Sequence, residues 1–235
     1  MKLIQPLQPA ILVKRYKRFL VDVTLADGDP LTIHCPNTGS MLGLTDPGNR
    51  VWYSTSDNLN RKYPHTLDLL QLRDGAVVGV NTSRANSLVQ EGIETGVIKE
   101  LAGYETIHPE YTIPGMRTRM DFRLSNGDEH CYVEVKNVTL GEADGQGYFP
   151  DAVTTRGQKH LQTLWELRQQ GARAVLCFCV QHTGIERVAA AEHIDATYSQ
   201  LYRQAQENGV EVIAYQARLS PEEMTLAKAL LTEKV

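Results

Sequence analysis

Asp121, Glu134 and Lys136 are the residues whose types and spacing can do chemistry in this chain. Glu134 and Lys136 lie two apart in the apolar run Cys131-Tyr132-Val133-Glu134-Val135-Lys136. Side chains alternate with period 2 along a strand, so a carboxylate and an ammonium share one face with Tyr132, while Cys131, Val133 and Val135 point the other way. Asp121 sits near the start of an earlier run, Arg119-Met120-Asp121-Phe122-Arg123-Leu124. The turn Ser125-Asn126-Gly127-Asp128 separates the two, and its Asn-Gly is a hairpin signal. Antiparallel pairing then brings a second carboxylate beside the first. Two carboxylates can hold Mg²⁺ or Mn²⁺, hard cations that keep waters for a phosphate group. Such an ion polarises a phosphoryl oxygen and acidifies a bound water. A lysine alongside positions that water or takes part in proton transfer. The chemistry expected is phosphodiester hydrolysis, with Asp121 and Glu134 as metal residues and Lys136 as their catalytic partner. The bland alternative is an exposed ion pair on an ordinary strand.

Two further residues are candidates for the same site. Glu91 lies on a helix expected over Arg84 to Glu94, where Ala85, Leu88, Val89 and Ile93 recur at helical spacing. Its alternative is a solvated helix glutamate. Gln158 lies on the shoulder of a helix capped by Thr154 or Thr155 and ending near Gly171. The buried stripe of that helix is Gly157, Leu161, Leu164 and Trp165. Arg156, Gln158, Lys159 and His160 fill its first turns, where a helix favours anions; a solvated helix start is the alternative for Lys159 and His160.

The elements that must hold the hairpin read as α/β. Arg173 to Val180 is uninterrupted and apolar, as a strand covered on both faces requires. Asp195 caps a helix carrying Tyr198, Leu201, Tyr202 and Ala205, stopped by Asn208-Gly209, and Val210 to Tyr215 is the next strand. Ala205 and Gly209 imitate a helix-turn-helix, but the β-rich run after them stands where a recognition helix would be needed. Ser220-Pro221-Glu222-Glu223 opens a helix or turns between strands. Gly141 to Thr154 is expected as a long polar connection leaving the strand of Glu134.

Upstream, residues from about Gln8 to Leu72 read as short strands separated by Asp27-Gly28, Asp29-Pro30 and Pro47-Gly48, the pattern of a small barrel of the OB type. The domain boundary is placed near residue 80, giving a barrel over 1–80 and an α/β domain over 81–235. Two clusters in the barrel interleave cations with aromatics: Lys14-Arg15-Tyr16-Lys17-Arg18-Phe19 and Arg61-Lys62-Tyr63. Cations meet phosphates and rings stack on bases, which makes Lys14, Arg15, Lys17, Arg18, Arg61 and Lys62 candidate nucleic-acid contacts, joined by Arg156 and Lys159. The alternatives are a hairpin with a solvated outer face and a barrel that binds protein. Cys35-Pro36-Asn37-Thr38-Gly39 is a turn whose backbone N–H groups could meet a phosphate.

Composition bounds these readings. With 24 Lys+Arg against 28 Asp+Glu the net charge is −4, so nucleic-acid binding must rest on local patches. No run is long and apolar enough to span a bilayer, and no signal peptide is recognisable. The four cysteines lie in strand-like runs without a CxxC pair, as buried thiols of a cytoplasmic protein do.

Asp121 followed by Glu134-Val135-Lys136 resembles the D…ExK pattern of restriction-endonuclease-like (PD-(D/E)xK) nucleases. Several longer stretches resemble the sugar fermentation stimulation protein family. Among them are Arg15-Tyr16-Lys17-Arg18-Phe19-Leu20, His34-Cys35-Pro36-Asn37-Thr38-Gly39, Tyr132-Val133-Glu134-Val135-Lys136-Asn137, Gly147-Tyr148-Phe149-Pro150-Asp151 and Arg156-Gly157-Gln158-Lys159-His160. The resemblance implies an OB-like barrel followed by a nuclease-like domain. It also implies largely non-specific binding to DNA, with RNA as the alternative, and a role in regulating sugar, particularly maltose, metabolism. Asn137 stands where the family usually has serine. A dimer is compatible with the sequence.

Overall fold

The computed structural model describes residues 2–3, 5–116 and 118–233. Its first part comprises β1 (Gln8–Tyr16), β2 (Leu20–Thr24), β3 (Pro30–His34), β4 (Arg50–Thr55), β5 (His65–Gln71) and β6 (Val77–Gly79). The strand order is β3-β2-β1-β4-β5-β6, and pairing of β3 with β5 closes the first five into a barrel. Alternation decides what fills it. Ala10 and Leu12 of β1 point inward with Val21, Val23, Ile33, Val51 and Leu67, while Ile11 and Val13 stay exposed.

The second part runs α1 (Ser83–Glu94), β7 (Thr106–Thr112), β8 (Arg119–Asn126), β9 (Glu129–Val138), β10 (Leu140–Gly141), β11 (Gln146–Phe149), α2 (Thr155–Gln169), β12 (Arg173–Val180), β13 (Arg187–Ala190), α3 (Ala196–Glu207), β14 (Glu211–Leu219), β15 (Met224–Ala229) and β16 (Leu231–Thr232). The main sheet has the order β15-β14-β12-β9-β8-β7, with β9, β12 and β14 parallel and its edges antiparallel. β12 at its centre splits its side chains between two cores. Val175, Cys177 and Cys179 meet α1, and Ala174, Leu176, Phe178 and Val180 meet α2 and α3. Burial on both faces is why that run is apolar throughout.

Three expectations from the sequence need correction or completion. The segment after Gly141 is not an irregular connection, because β10 and β11 build a small second sheet with β13 and β16. The segment after Ala205 and Gly209 is β14, paired with β12 over Val175–Val180, so no second helix of a helix-turn-helix exists there. Ser220 to Glu223 is a turn between β14 and β15, in which Ser220 Oγ accepts the N–H groups of Glu222 and Glu223. The four cysteines are free and buried. No helix among the described residues is long and apolar enough to cross a membrane.

The barrel is locked to the α/β domain. Gly79 donates its N–H to the Gln181 carbonyl at 2.8 Å, and a Cβ on Gly79 would meet the Gln181 side chain, so the close approach requires glycine. Asp68 of β5, fully buried, takes an ion pair from Arg84 of α1 and a 2.9 Å hydrogen bond from Asn81 Nδ2.

Candidate active site

The hairpin β8–β9 forms at the expected place, but its two-residue loop is Gly127-Asp128 and not Asn126-Gly127: Asn126 still pairs with Glu129, and Gly127 supplies the positive φ, +54°. Its ladder runs from Asn126↔Glu129 down to Phe122↔Val133 and stops. At the next position the Val135 N–H is taken at 2.7 Å by the Asp121 carboxylate instead of a strand carbonyl. The strands therefore part where the candidate residues begin.

Period 2 along β9 holds. Cys131, Val133 and Val135 enter the core under α1, and Tyr132 enters the core under α2. Glu134 and Lys136 share the α2 side, with Lys136 Nζ donating to Glu134 Oε1 at 2.6 Å. Glu134 is 2% exposed and the Lys136 side chain 11%. His160 of α2 completes the group: its Nδ1 lies on Glu134 Oε1 and 3.1 Å from Lys136 Nζ. Arg156 Nε donates to His160 Nε2 at 3.4 Å. That bond makes Nε2 the acceptor, so the ring proton sits on Nδ1 and is donated to Glu134. Both donors share Oε1, and Oε2 is buried without a partner.

The electrostatics follow from this geometry. Burial alone would push the Glu134 carboxyl up, but the His160 hydrogen bond and the Lys136 charge outweigh it and hold it below the ordinary carboxylate value. Asp121 moves the opposite way. Burial and the Glu134 charge raise it, against hydrogen bonds from Val135 N–H and from Asn86 Nδ2 at 2.8 Å. Two carboxylates that feel each other, one raised and one lowered, mark a charged pocket.

The remaining candidates fall in different places. On α1 Asn86 reaches Asp121; Glu91 lies five residues on, about 140° round the same helix. Gln158 donates to Asp195 at 3.0 and 3.1 Å, and Asp195 also caps α3 through Tyr198 N–H and receives Thr154 N–H. Gln158 thus ties α2 to α3 and is engaged away from Glu134. His160 is the residue that sequence reading set aside. It is buried, and its place with Gly157, Leu161 and Leu164 at i, i+3, i+4 and i+7 is the signal that could have found it.

Among the predicted nucleic-acid contacts, Arg18 lines a cleft of about 460 Å³ between the barrel and the α/β domain that also exposes Lys136 and Asn86. Arg156 and Lys159 line a neighbouring hollow of about 390 Å³ with Thr118, Arg119, Thr155 and His160. Lys17 and Arg18 form the β1–β2 turn at φ +51° and +63°, a left-handed conformation costly for residues with a Cβ. Lys14 lies 3.5 Å from Asp22 and over the Tyr16 ring, Lys62 lies over Tyr63, and Arg61 donates to Thr66. Arg15 is occupied: it donates to the carbonyls of Arg18, Asn37, Gly39 and Ser40. Among the described residues no group of three or more His, Cys, Asp or Glu side chains is arranged to hold a metal ion.

The fold and site together define an OB-type barrel joined to a mixed-sheet α/β domain in which β9 carries a buried acid and, two residues on, a lysine that lines the cleft between them. Residues 13–80 match the family model described as the SfsA N-terminal OB domain, and residues 83–223 match the sugar fermentation stimulation protein RE domain. The chain belongs to the sugar fermentation stimulation protein family. Sugar fermentation stimulation protein homologs of Shewanella loihica and Shewanella piezotolerans are 54% and 53% identical, over 96% and 97% of this chain and 97% and 98% of theirs. A solved structure described as Pyrococcus furiosus SfsA in complex with Ca²⁺ superimposes with a TM-score of 0.88 at 24% identity, covering 99% of this chain and 98% of that one.

Proposed function

We propose that this chain is a DNA-binding protein, largely blind to sequence, that carries a divalent-metal phosphodiesterase site on Asp121, Glu134 and Lys136. The observation that carries the proposal is the division of Glu134: Oε1 takes both protein donors, while Oε2 is buried with no partner, near a second carboxylate. A buried carboxylate oxygen without a partner is costly in a finished structural ion pair and is what a cation ligand requires. Mg²⁺ and Mn²⁺ need only one or two carboxylates and keep waters in the other positions, so this donor set fits them. Asp121 and Glu134 would hold the ion, which supplies a polarised phosphoryl oxygen and an acidified water when bound. The Ca²⁺ in the Pyrococcus furiosus relative is a cation of the same oxygen-preferring kind, and its fold is the same.

The chain's own groups do the rest. Lys136, in the lining of the cleft, positions the attacking water as a hydrogen-bond donor. His160 and Lys136 fix the Glu134 carboxylate so that it does not turn. Arg18, Lys14, Lys17, Arg61 and Lys62 on the barrel, with Arg156 and Lys159 on α2, meet the backbone phosphates of DNA, or of RNA. Such contacts carry no sequence information and weaken as salt rises. The test is incubation of the purified protein with Mn²⁺ and DNA or RNA beside a Lys136→Ala variant. Metal-dependent cleavage lost in the variant supports the site; no cleavage by either protein refutes it.

A second reading has its own observation. Lys136 already neutralises Glu134 and His160 hydrogen bonds the same oxygen, and no three-residue metal cluster stands among the described residues. On that reading the α/β domain is a scaffold for a regulator that binds DNA and cuts nothing, and Glu134→Gln leaves DNA affinity unchanged. Family membership supports a place for either in the control of sugar, particularly maltose, metabolism.

A further inference from the structure

We infer that the site is reached by a single strand of nucleic acid threaded beneath a strap that ties the barrel to the α/β domain, and that an intact duplex is excluded. This rests on the proposed reading of Glu134 and Lys136 as the place where a phosphodiester is bound. The cleft that exposes Lys136 holds about 460 Å³, the size of a small-molecule pocket. β9 lines it at Val135–Asn137, α1 at Ala85 and Asn86, the barrel at Asn37–Gly39, and the α/β domain again at Tyr148–Thr154.

The barrel residues that follow Gly39 are hydrogen bonded to the last of these segments. Ser40 Oγ donates to the Asp151 carbonyl at 2.7 Å, and Met41 N–H donates to Asp151 Oδ2 at 3.2 Å. The contact is built into the barrel. Arg15 grips the carbonyls of Asn37 and Gly39 at 2.9 Å each and of Ser40 at 3.3 Å. Gly39 N–H is held by Asn37 Oδ1 at 2.8 Å. A Cβ on Gly39 would lie 2.7 Å from Asp151 Oδ2, so a larger residue there would push the Asp151 carboxylate out of place. The Gly79–Gln181 and Asp68–Arg84 contacts hold the two domains in place behind the strap.

A duplex is stiff over many turns, and its phosphates ride on a rigid cylinder. It cannot lower one into a strapped cleft to a Lys136 side chain that is only 11% exposed. A single strand bends freely and offers base faces. Tyr148, half-buried in the cleft lining with its ring in T-shaped contact with His193 at 5.0 Å, is the aromatic residue placed to meet a base, and Arg18 in the same lining supplies a cation for the backbone.

Fluorescence anisotropy without metal tests this on the full chain, using a labelled DNA strand, its RNA counterpart and the blunt DNA duplex at one salt concentration. The strands are expected to bind about tenfold or more tighter than the duplex, the DNA and RNA arms showing which sugar is preferred. Tyr148→Ala should weaken strand binding roughly tenfold while Tyr148→Phe retains it, since stacking needs only the ring. Ser40→Ala combined with Asp151→Ala, which removes the side chains on both sides of the strap, should admit the duplex and narrow the ratio. A duplex bound as tightly as the strand, or a ratio unmoved by the double variant, overturns the inference. With Mn²⁺ added, cutting of the strand but not of a closed duplex supports it. Failure to cut anything, with strand selectivity intact, refutes the phosphodiesterase reading and leaves the single-strand inference standing.

Discussion

Glu134 keeps one oxygen for the protein and leaves the other without a partner, and His160 is what makes the division hold. Its loss would leave a buried carboxylate with Lys136 alone. His160→Ala is therefore expected to destabilise the fold by about 1–3 kcal/mol, and His160→Gln, which keeps a donor, by less. Urea denaturation of the two variants checks this; equal losses would mean that ring packing, not the hydrogen bond, matters. Asp121, Glu134 and Lys136 were legible in the sequence because period 2 and an Asn-Gly turn are local signals. His160 was not, because its partner lies 26 residues away and only the fold brings α2 across β9. Reading the α2 stripe from Leu161, Leu164 and Trp165 hid it, since a histidine at the head of a helix looks solvated.

Among the elements, the β1–β2 turn departs most from what backbone sterics favour. Lys17 and Arg18 hold left-handed φ values where glycine or asparagine is usual. Strain of that kind persists where the surrounding structure fixes it, here through Arg15 bonded to the Arg18 carbonyl. Arg18→Gly is expected to raise stability by about 0.5–1 kcal/mol, the relief of strain being partly offset by the freer unfolded chain. The same change should weaken nucleic-acid binding and reduce its salt slope by about one. Thermal melting and salt-titrated binding on one sample check both; binding left intact would make the turn purely architectural. The barrel strands, α1, α2, β12 and α3 were readable from alternation, helical spacing and caps. β10, β11, β13 and β16 were not, because strands of two to four residues carry too little pattern to distinguish from loop.

At the scale of the molecule, two domains meet along a rigid seam, and His182 is buried within it. It forms a bridge to Val78 of β6, and its Nδ1 accepts the Gly184 N–H at 3.0 Å. Burial lowers its pKa below the ordinary histidine value of 6.5, with Asp74 acting weakly in the opposite sense. Unfolded chains then take up a proton near pH 6.5 that the folded chain resists, so stability falls as pH drops below that value. Chemical denaturation from neutral pH downward should show a steeper loss for the native chain than for His182→Gln. Parallel curves would mean that His182 titrates as freely folded as unfolded. Nothing in the sequence around His182 announced the seam, because it joins residues about a hundred positions apart and depends on glycine at position 79.

The whole account turns on whether Glu134 Oε2 and the Asp121 carboxylate take a cation. A crystal soaked in Mn²⁺ and measured at the manganese absorption edge answers that directly. The account predicts an anomalous peak between the Asp121 carboxylate and Glu134 Oε2, absent from a Glu134→Gln crystal soaked in the same way. A map in which the ion binds elsewhere, and this position stays featureless, would contradict it.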